Sequence, residues 1–373
     1  MRATKSNRLT QIEGARLVRA LEKGESDLVG RFLNRGWNPA SGIEGQNPLV
    51  YSASIKMAKL LTEAGTQLNA GKHNYTPLIA KCSIGDEEMV AFLIAAGADV
   101  NVAYSKRGCP QIPFGTTALM AAANPGYLRI VKNLLAAGAE INYIDEQGHN
   151  ALFHALLSDE VEVAKHLLTV GSQLTKDVLT GPVANGNAEL VRLLISKGAD
   201  VNCVFRKDPR AKKGPSKETL LGYAISHTSR QELQLRGRTI TIDYPVEVAE
   251  LLIEAGADVN RPSPWFVATK MGRKEAIGVR PVSPLRIAGS KGLEHIMELL
   301  WKAGAKGTLK DALVDCSVEK AAFRNDIPVL KLLIKAGADL NARGYQCKTS
   351  IELAREAGNA EVVEILRRAG ANE

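Results

Sequence analysis

A chain of 373 residues with 45% apolar and 24% charged residues has the make-up of a folded protein, which excludes wholesale disorder and collagen-like or mucin-like architectures. The length suits two or three compact domains or one array of repeats, an architecture with no upper size. Its 48 Lys and Arg against 40 Asp and Glu leave +8, a surplus that says something about partners only where it is concentrated.

The polar start MRATKSNRLTQIEG lacks the apolar core of a signal peptide, and the longest uncharged apolar stretch, Val90 to Ala98, is about half a bilayer crossing. Five scattered cysteines (Cys82, Cys109, Cys203, Cys316, Cys347) contain no CxxC pair, which argues against a disulfide framework or a zinc module. The expectation is a soluble, unsecreted protein in the reducing cytoplasm.

In chain order, a tag recurs: AGADVN at 96–101, AGAEIN at 137–142, KGADVN at 197–202, AGADVN at 255–260 and AGADLN at 336–341, with weaker copies at Gly36, Gly65, Gly171, Gly304 and Gly370. Upstream lies T-x-L or a relative at 76–78, 117–119, 150–152, 283–285 and 349–351, and its first residue precedes the tag glycine by 21 every time. Glu88, Met89, Val90, Phe92, Leu93 and Ile94 read as a short helix with a crowded apolar face, and Gly97 suits the left-handed residue that ends it. Such a unit cannot bury its apolar side alone, so neighbours must stack.

These segments resemble the ankyrin repeat, whose unit of about 33 residues reads roughly D-x-x-G-x-T-P-L-H-x-A-A, G-H-x-E-V-V-x-L-L, G-A-D-V-N. The resemblance spans about residues 12 to 371. It implies an all-α solenoid of stacked helix-turn-helix units with β-hairpin fingers. A single domain over 1–373 is expected, with repeats at about 9–36, 45–69, 74–101, 115–142, 148–174, 175–202, 217–260, 281–306, 307–341 and 345–373. It also implies a chain without catalysis, metal or cofactor, monomeric by itself, that binds protein through its concave face. The family's TPLH histidine is absent: Ile79, Met120, Phe153, Arg286 and Glu352 stand there, so individually weak repeats are expected. Leu93, Asp99 and Asn101 have the spacing at which animal ankyrin asparagines can be hydroxylated by an oxygen-sensing dioxygenase, although a cap for the hairpin is the stronger reading of that asparagine.

Spacing also locates what is added to the minimal unit. Asn142 to Asn150 and Asn341 to Thr349 are plain fingers of 8 residues, and the first keeps Asp145 and Gly148 of the D-x-x-G turn. The fingers at 102–114, 203–217 and 261–281 are extended, and 228–244 is a loop inserted between the two helices of one unit. The units ending at Gly198 and Gly337 are irregular but should still form helix pairs. Together the four insertions hold 16 of the 48 basic residues and 4 of the 40 acidic ones, a net +12, leaving −4 on the rest.

Six of the 18 aromatics lie in them as well, and aromatic residues with Arg are the composition of interface anchors. The candidate partner-binding residues are Tyr104, Lys106, Arg107, Arg206, Lys207, Arg210, Lys212, Lys213, Trp265, Phe266, Lys270, Arg273 and Lys274. The competing reading is that long loops gather Lys, Arg and Pro because they are solvated. No HExxH, phosphate-binding glycine loop or GxSxG elbow is present. Cysteines read as small fillers, with a reactive thiol at Cys109 or Cys203 a minority option, since nearby basic residues would lower its pKa. Trp37 and Trp301 read as packing residues. The leading function is a scaffold, adaptor or inhibitor that engages an acidic protein; the alternative is association with nucleic acid or another polyanion.

Overall fold

Side chains of the recurring T-x-L segments start the helices. In the computed structural model, which describes residues 9–106, 113–205, 218–228, 230–235, 238–243, 246–271, 274–343 and 348–372, the first residue of each such segment is an N-cap. Thr76 Oγ1 accepts from Ile79 N–H at 3.2 Å, Thr117 Oγ1 from Met120 N–H at 3.4 Å and Asn150 Oδ1 from Phe153 N–H at 3.1 Å. Each cap satisfies a donor that the first helical turn leaves orphaned, a contribution of about 1 kcal/mol. Two residues on, Leu78, Leu119, Leu152 and Leu285 are buried. At the other end of a unit Gly97 takes φ 91°, letting Ala98 N–H reach back to Leu93 C=O at 2.9 Å, a left-handed stop that a side chain would strain.

The structure divides into two compact units, 1–175 and 176–373. In the first, helices come as α1 (Gln11–Glu22) and α2 (Ser26–Asn34), α3 (Ile55–Glu63), α4 (Pro77–Ile84) and α5 (Glu87–Ala95), α6 (Ala118–Ala123) and α7 (Leu128–Ala136), and α8 (Ala151–Leu157) and α9 (Val161–Thr169). The partner of α3 is a single 3-10 turn, Pro48–Tyr51. Within this unit α4, α6 and α8 pack side by side, with α3, α5, α7 and α9 as a second row. Their facing residues, among them Leu93, Met120, Leu134, Leu152 and Leu167, are 0–2% exposed, and this shared burial supplies most of the stability of helices too short to stand alone.

The second unit begins with α10 (Thr180–Ala184) and α11 (Ala188–Ser196), then β1 (Val204–Phe205), β2 (Glu218–Thr219) and α12 (Leu220–His227). β3 (Arg230–Leu235) and β4 (Arg238–Asp243) lie between α12 and α13 (Val246–Glu254). β5 (Ser263–Met271) and β6 (Lys274–Val282) precede α14 (Pro284–Ser290) and α15 (Glu294–Lys302). Last come α16 (Leu309–Ala312), α17 (Val318–Phe323), α18 (Ile327–Lys335), α19 (Ser350–Glu356) and α20 (Ala360–Arg368). The stretch before Gly337 thus contains a one-turn helix ahead of a helix pair, and the short stretch before Gly198 keeps its pair. The strands form three separate two-stranded antiparallel sheets among the described residues. What reads from the sequence as a loop at 228–244 contains a six-pair β-hairpin, with Leu233 opposite Ile240.

The positions of the missing TPLH histidine are filled by three chemistries. Ile79, Met120 and Phe153 are buried apolar residues, Arg286 pairs with Asp315, and Glu352 closes a capping box on Thr349. A different side chain ties successive turns together. Asn101 Nδ2 donates to Gly138 C=O at 3.1 Å and its Oδ1 accepts from Glu140 N–H at 2.8 Å; Asn260 does the same to Gly304 C=O and Lys306 N–H, at 3.1 and 2.9 Å. The tag asparagine therefore staples its own finger to the next one.

Candidate partner-binding site

The fingers are held by backbone bonds to their neighbours. In the first unit Ser105 N–H donates to His73 C=O at 2.7 Å, Tyr104 N–H to Thr116 C=O at 2.9 Å and Glu146 N–H to Phe114 C=O at 3.1 Å, so the base of the extended finger is stitched on both sides. This stitching turns Tyr104 inward. Its ring meets Tyr75 edge-on, with centroids 6.1 Å apart, and the residue is 5% exposed. Tyr104 is thus a core residue and not the exposed anchor expected from the sequence, while Lys106 beside it is exposed. Arg107 lies outside the described residues.

In the second unit the bases of two extended fingers adjoin. β1 and β2 pair Val204 with Thr219 and Phe205 with Glu218, closing the base of the finger that carries Arg206, Lys207, Arg210, Lys212 and Lys213; those five lie outside the described residues. β5 and β6 form a ribbon of nine pairs. Thr219 N–H donates to Ser263 Oγ at 3.3 Å, and a Cβ at Gly222 would sit 2.4 Å from that same Oγ, so the ribbon's base rests against the start of α12. Arg261 reaches back from it to Asn202 C=O at 3.2 Å. Trp265 and Phe266 are consecutive ribbon residues, opposite Arg280 and Val279, and so fall on opposite faces. Lys270 and Lys274 belong to the last two pairs before the turn; Arg273 lies outside the described residues. β3 leaves the opposite end of α12, a helix of about 12 Å at 1.5 Å per residue.

The plain finger of the first unit uses its polar groups differently. Asp145, 5% exposed, accepts from the N–H groups of Gln147 and His149, both at 2.9 Å, and His154 Nε2 lies 3.1 Å from its other oxygen. Burial would raise the Asp145 pKa, but the bonds from His154, His149 and Gln147 outweigh it and hold the carboxyl below its usual value. His149 stacks on Phe153 with centroids 3.6 Å apart. His149 and His154, five residues apart in the chain, thus meet around Asp145.

No group of three His, Cys, Asp or Glu with metal-holding geometry occurs among the described residues. Cys203 follows the filler reading and not the minority one of a reactive thiol: it is buried, and burial, then Asp200 and Asp177, push its thiol up to about 12. Burial likewise raises Cys316 to about 11, and Cys82 is buried in α4. Cys109 lies outside the described residues. Trp37 is buried, and Trp301 Nε1 donates to Gly307 C=O at 2.9 Å. Among the described residues no helix is long and apolar enough to cross a membrane.

Comparison with known proteins agrees with this architecture. A family description of three ankyrin-repeat copies matches residues 17–104 and 105–178, and that of the single ankyrin repeat matches 183–205. The chain is 30% identical over 168 residues to the ankyrin repeat and KH domain-containing protein mask-1 of Caenorhabditis elegans, covering 42% of this chain and 6% of that protein. It is 27% identical over 206 residues to the putative ankyrin repeat protein YahD of Escherichia coli, covering 49% of this chain and 94% of that one. Human ankyrin repeat and SOCS box protein 6 is 29% identical over 222 residues, 56% of this chain and 44% of its own length.

Proposed function

The chain belongs to the ankyrin-repeat family, and from that premise we propose that it is a non-catalytic scaffold, adaptor or inhibitor of the cytoplasm that grips an acidic protein with its basic fingers and concave face. Repeats of this kind mediate protein–protein interaction, which makes a protein the first partner to consider. The observation that carries the reading is the adjacency of two fingers at Thr219 and Ser263. Segments 203–217 and 261–281 hold 11 basic and 2 acidic residues, a local +9, and their bases touch. Basic segments that start from one place add their positive potentials, where a single exposed charge is screened within about 10 Å. Free cysteines at Cys82, Cys203 and Cys316 suit a reducing compartment.

The test is affinity capture by the full chain beside a variant with Arg206, Lys207, Arg210, Lys212, Lys213, Arg273 and Lys274 all changed to Ser. A protein retained by the wild type through moderate salt and nuclease treatment, and lost by the variant, supports the proposal. Binding that vanishes with nuclease, and whose log affinity falls steeply with log salt, gives the polyanion reading the lead.

A further inference from the structure

The two long hairpins of the second unit differ in how they are finished. In β3–β4 the register sets Leu233 opposite Ile240, Gln231 opposite Ile242 and Leu235 opposite Arg238 on one face; Arg230, Glu232 and Gln234 stand opposite Asp243, Thr241 and Thr239 on the other. All four aliphatic residues of the hairpin thus share one set of register positions with Gln231 and Arg238. A lone two-stranded hairpin is marginal in water, and it gains independent stability when a third strand extends its apolar face. β3 and β4 pair only with each other, so among the described residues each has one edge with no strand beside it.

Which groups line those edges follows from the ladder. Leu235 and Arg238 close a two-residue connection and therefore exchange both of their bonds; alternation then turns the N–H and C=O of Thr239, Thr241 and Asp243 outward on β4, and those of Arg230, Glu232 and Gln234 outward on β3. The sister ribbon obeys the same rule. Met271 and Lys274 close it, and counting back makes Pro264 and Pro281 outward-facing, where a missing N–H costs the ladder nothing and denies a bond to any third strand. Neither outward row of β3–β4 contains a proline.

We propose that the edge of β4 is a self-association site, pairing antiparallel with β4 of a second copy about a two-fold axis through Thr241. That register uses all three outward residues: Thr241 faces Thr241, Thr239 faces Asp243 and, between them, Ile240 faces Ile242. Six backbone bonds form and no like charges meet. The corresponding register on β3 sets Glu232 against Glu232, which opposes it. Two hairpins become one four-stranded sheet. The pairing is isologous, as a two-fold dimer requires, and small against a standard interface, so it is weak and concentration-dependent. It stands independently of the basic fingers, and it limits the monomer expected from the sequence to low concentration.

Sedimentation velocity on the full chain, from low to high micromolar, reads the proposal directly. The wild type is expected to approach twice its monomer mass. Thr241→Pro removes the N–H on the axis and spares the β3–β4 ladder, so it should weaken association at least about tenfold, equivalent to 1.4 kcal/mol, with an unchanged melt. Glu232→Pro makes the same change on the other edge and should dimerise like the wild type. Thr241→Arg and Thr241→Asp should each fail to self-associate, and their mixture should restore the dimer. A wild type of constant mass overturns the proposal, as do Thr241 variants that associate normally or a Glu232→Pro chain that does not.

Discussion

The finger around Asp145 and the ribbon at 263–282 occupy equivalent places in the repeat and are built on opposite plans. In the short finger the polar side chain turns inward: the Asp145 carboxylate is consumed by Gln147 N–H, His149 N–H and His154. In the ribbon the backbone pairs with itself, Trp265 to Arg280 through Met271 to Lys274. The finger of 8 residues, Asn142 to Asn150, draws on a buried carboxylate, whereas the one of 23, Asn260 to Ser283, closes on a ribbon of nine pairs. On the proposed function, the short finger serves stability and the long one recognition.

Removing Asp145 should break that comparison most severely. Asp145→Ala leaves two N–H groups and His154 without their acceptor, and bonds to a charged group are worth about 1.5–3 kcal/mol. A loss of about 2–3 kcal/mol in urea unfolding is expected, with binding altered only as far as folding is. The pH dependence has a definite sign. Because the folded-state pKa is lowered, the carboxylate's contribution is fully present above the unfolded value of about 3.9 and fades as pH falls through the folded one. The gap between wild type and Asp145→Asn should therefore narrow below about pH 4; a gap constant down to pH 2 would mean that Asp145 is held neutral.

For the long fingers the expectation reverses. Changing the seven basic residues to Ser should slow association with an acidic partner by about 10- to 100-fold at low salt, since exposed charge acts on approach, and leave the melt in place. Equal rates for variant and wild type would show that these residues are only solvated surface. Trp265→Ala is the next step down: loss of an aromatic anchor is expected to speed dissociation about tenfold, 1.4 kcal/mol, without changing the salt dependence. A melt lowered by many degrees would instead make Trp265 a packing residue.

Much of this contrast is written in the residues, and part of it is not. The spacing from T-x-L to glycine names the N-caps Thr76, Thr117 and Asn150 and the left-handed Gly97, because those roles depend on local backbone geometry. Insertion lengths likewise mark where the fingers grow. The hairpin at 230–243 was legible too, in the alternation QELQL and TITI around Arg236-Gly237, but an inserted segment invites reading as a loop. Tyr104 could not be placed from sequence, since what turns it inward is pairing with Thr116 and the neighbouring Ser105–His73 bond. His154 reaches Asp145 from the last turn of the following helix, a meeting that only folding produces.

The smallest effect concerns the staple that both kinds of finger share. Asn101 bridges the extended finger of the first unit to the next turn through one donated and one accepted bond. The site is half-exposed, so water compensates part of the loss, and Asn101→Ala should cost about 1 kcal/mol. Asn101→Asp keeps the acceptor for Glu140 N–H but cannot donate to Gly138 C=O, so it should fall between the wild type and Ala. Amide hydrogen exchange distinguishes a local staple from general weakening: Glu140 N–H should exchange faster in Asn101→Ala and stay protected in Asn101→Asp, with the amides of α8 and α9 unchanged in both. Uniformly faster exchange across the first unit would show that the asparagine supports the stack as a whole, and the division between stabilising and recognising fingers would then fail at their common base.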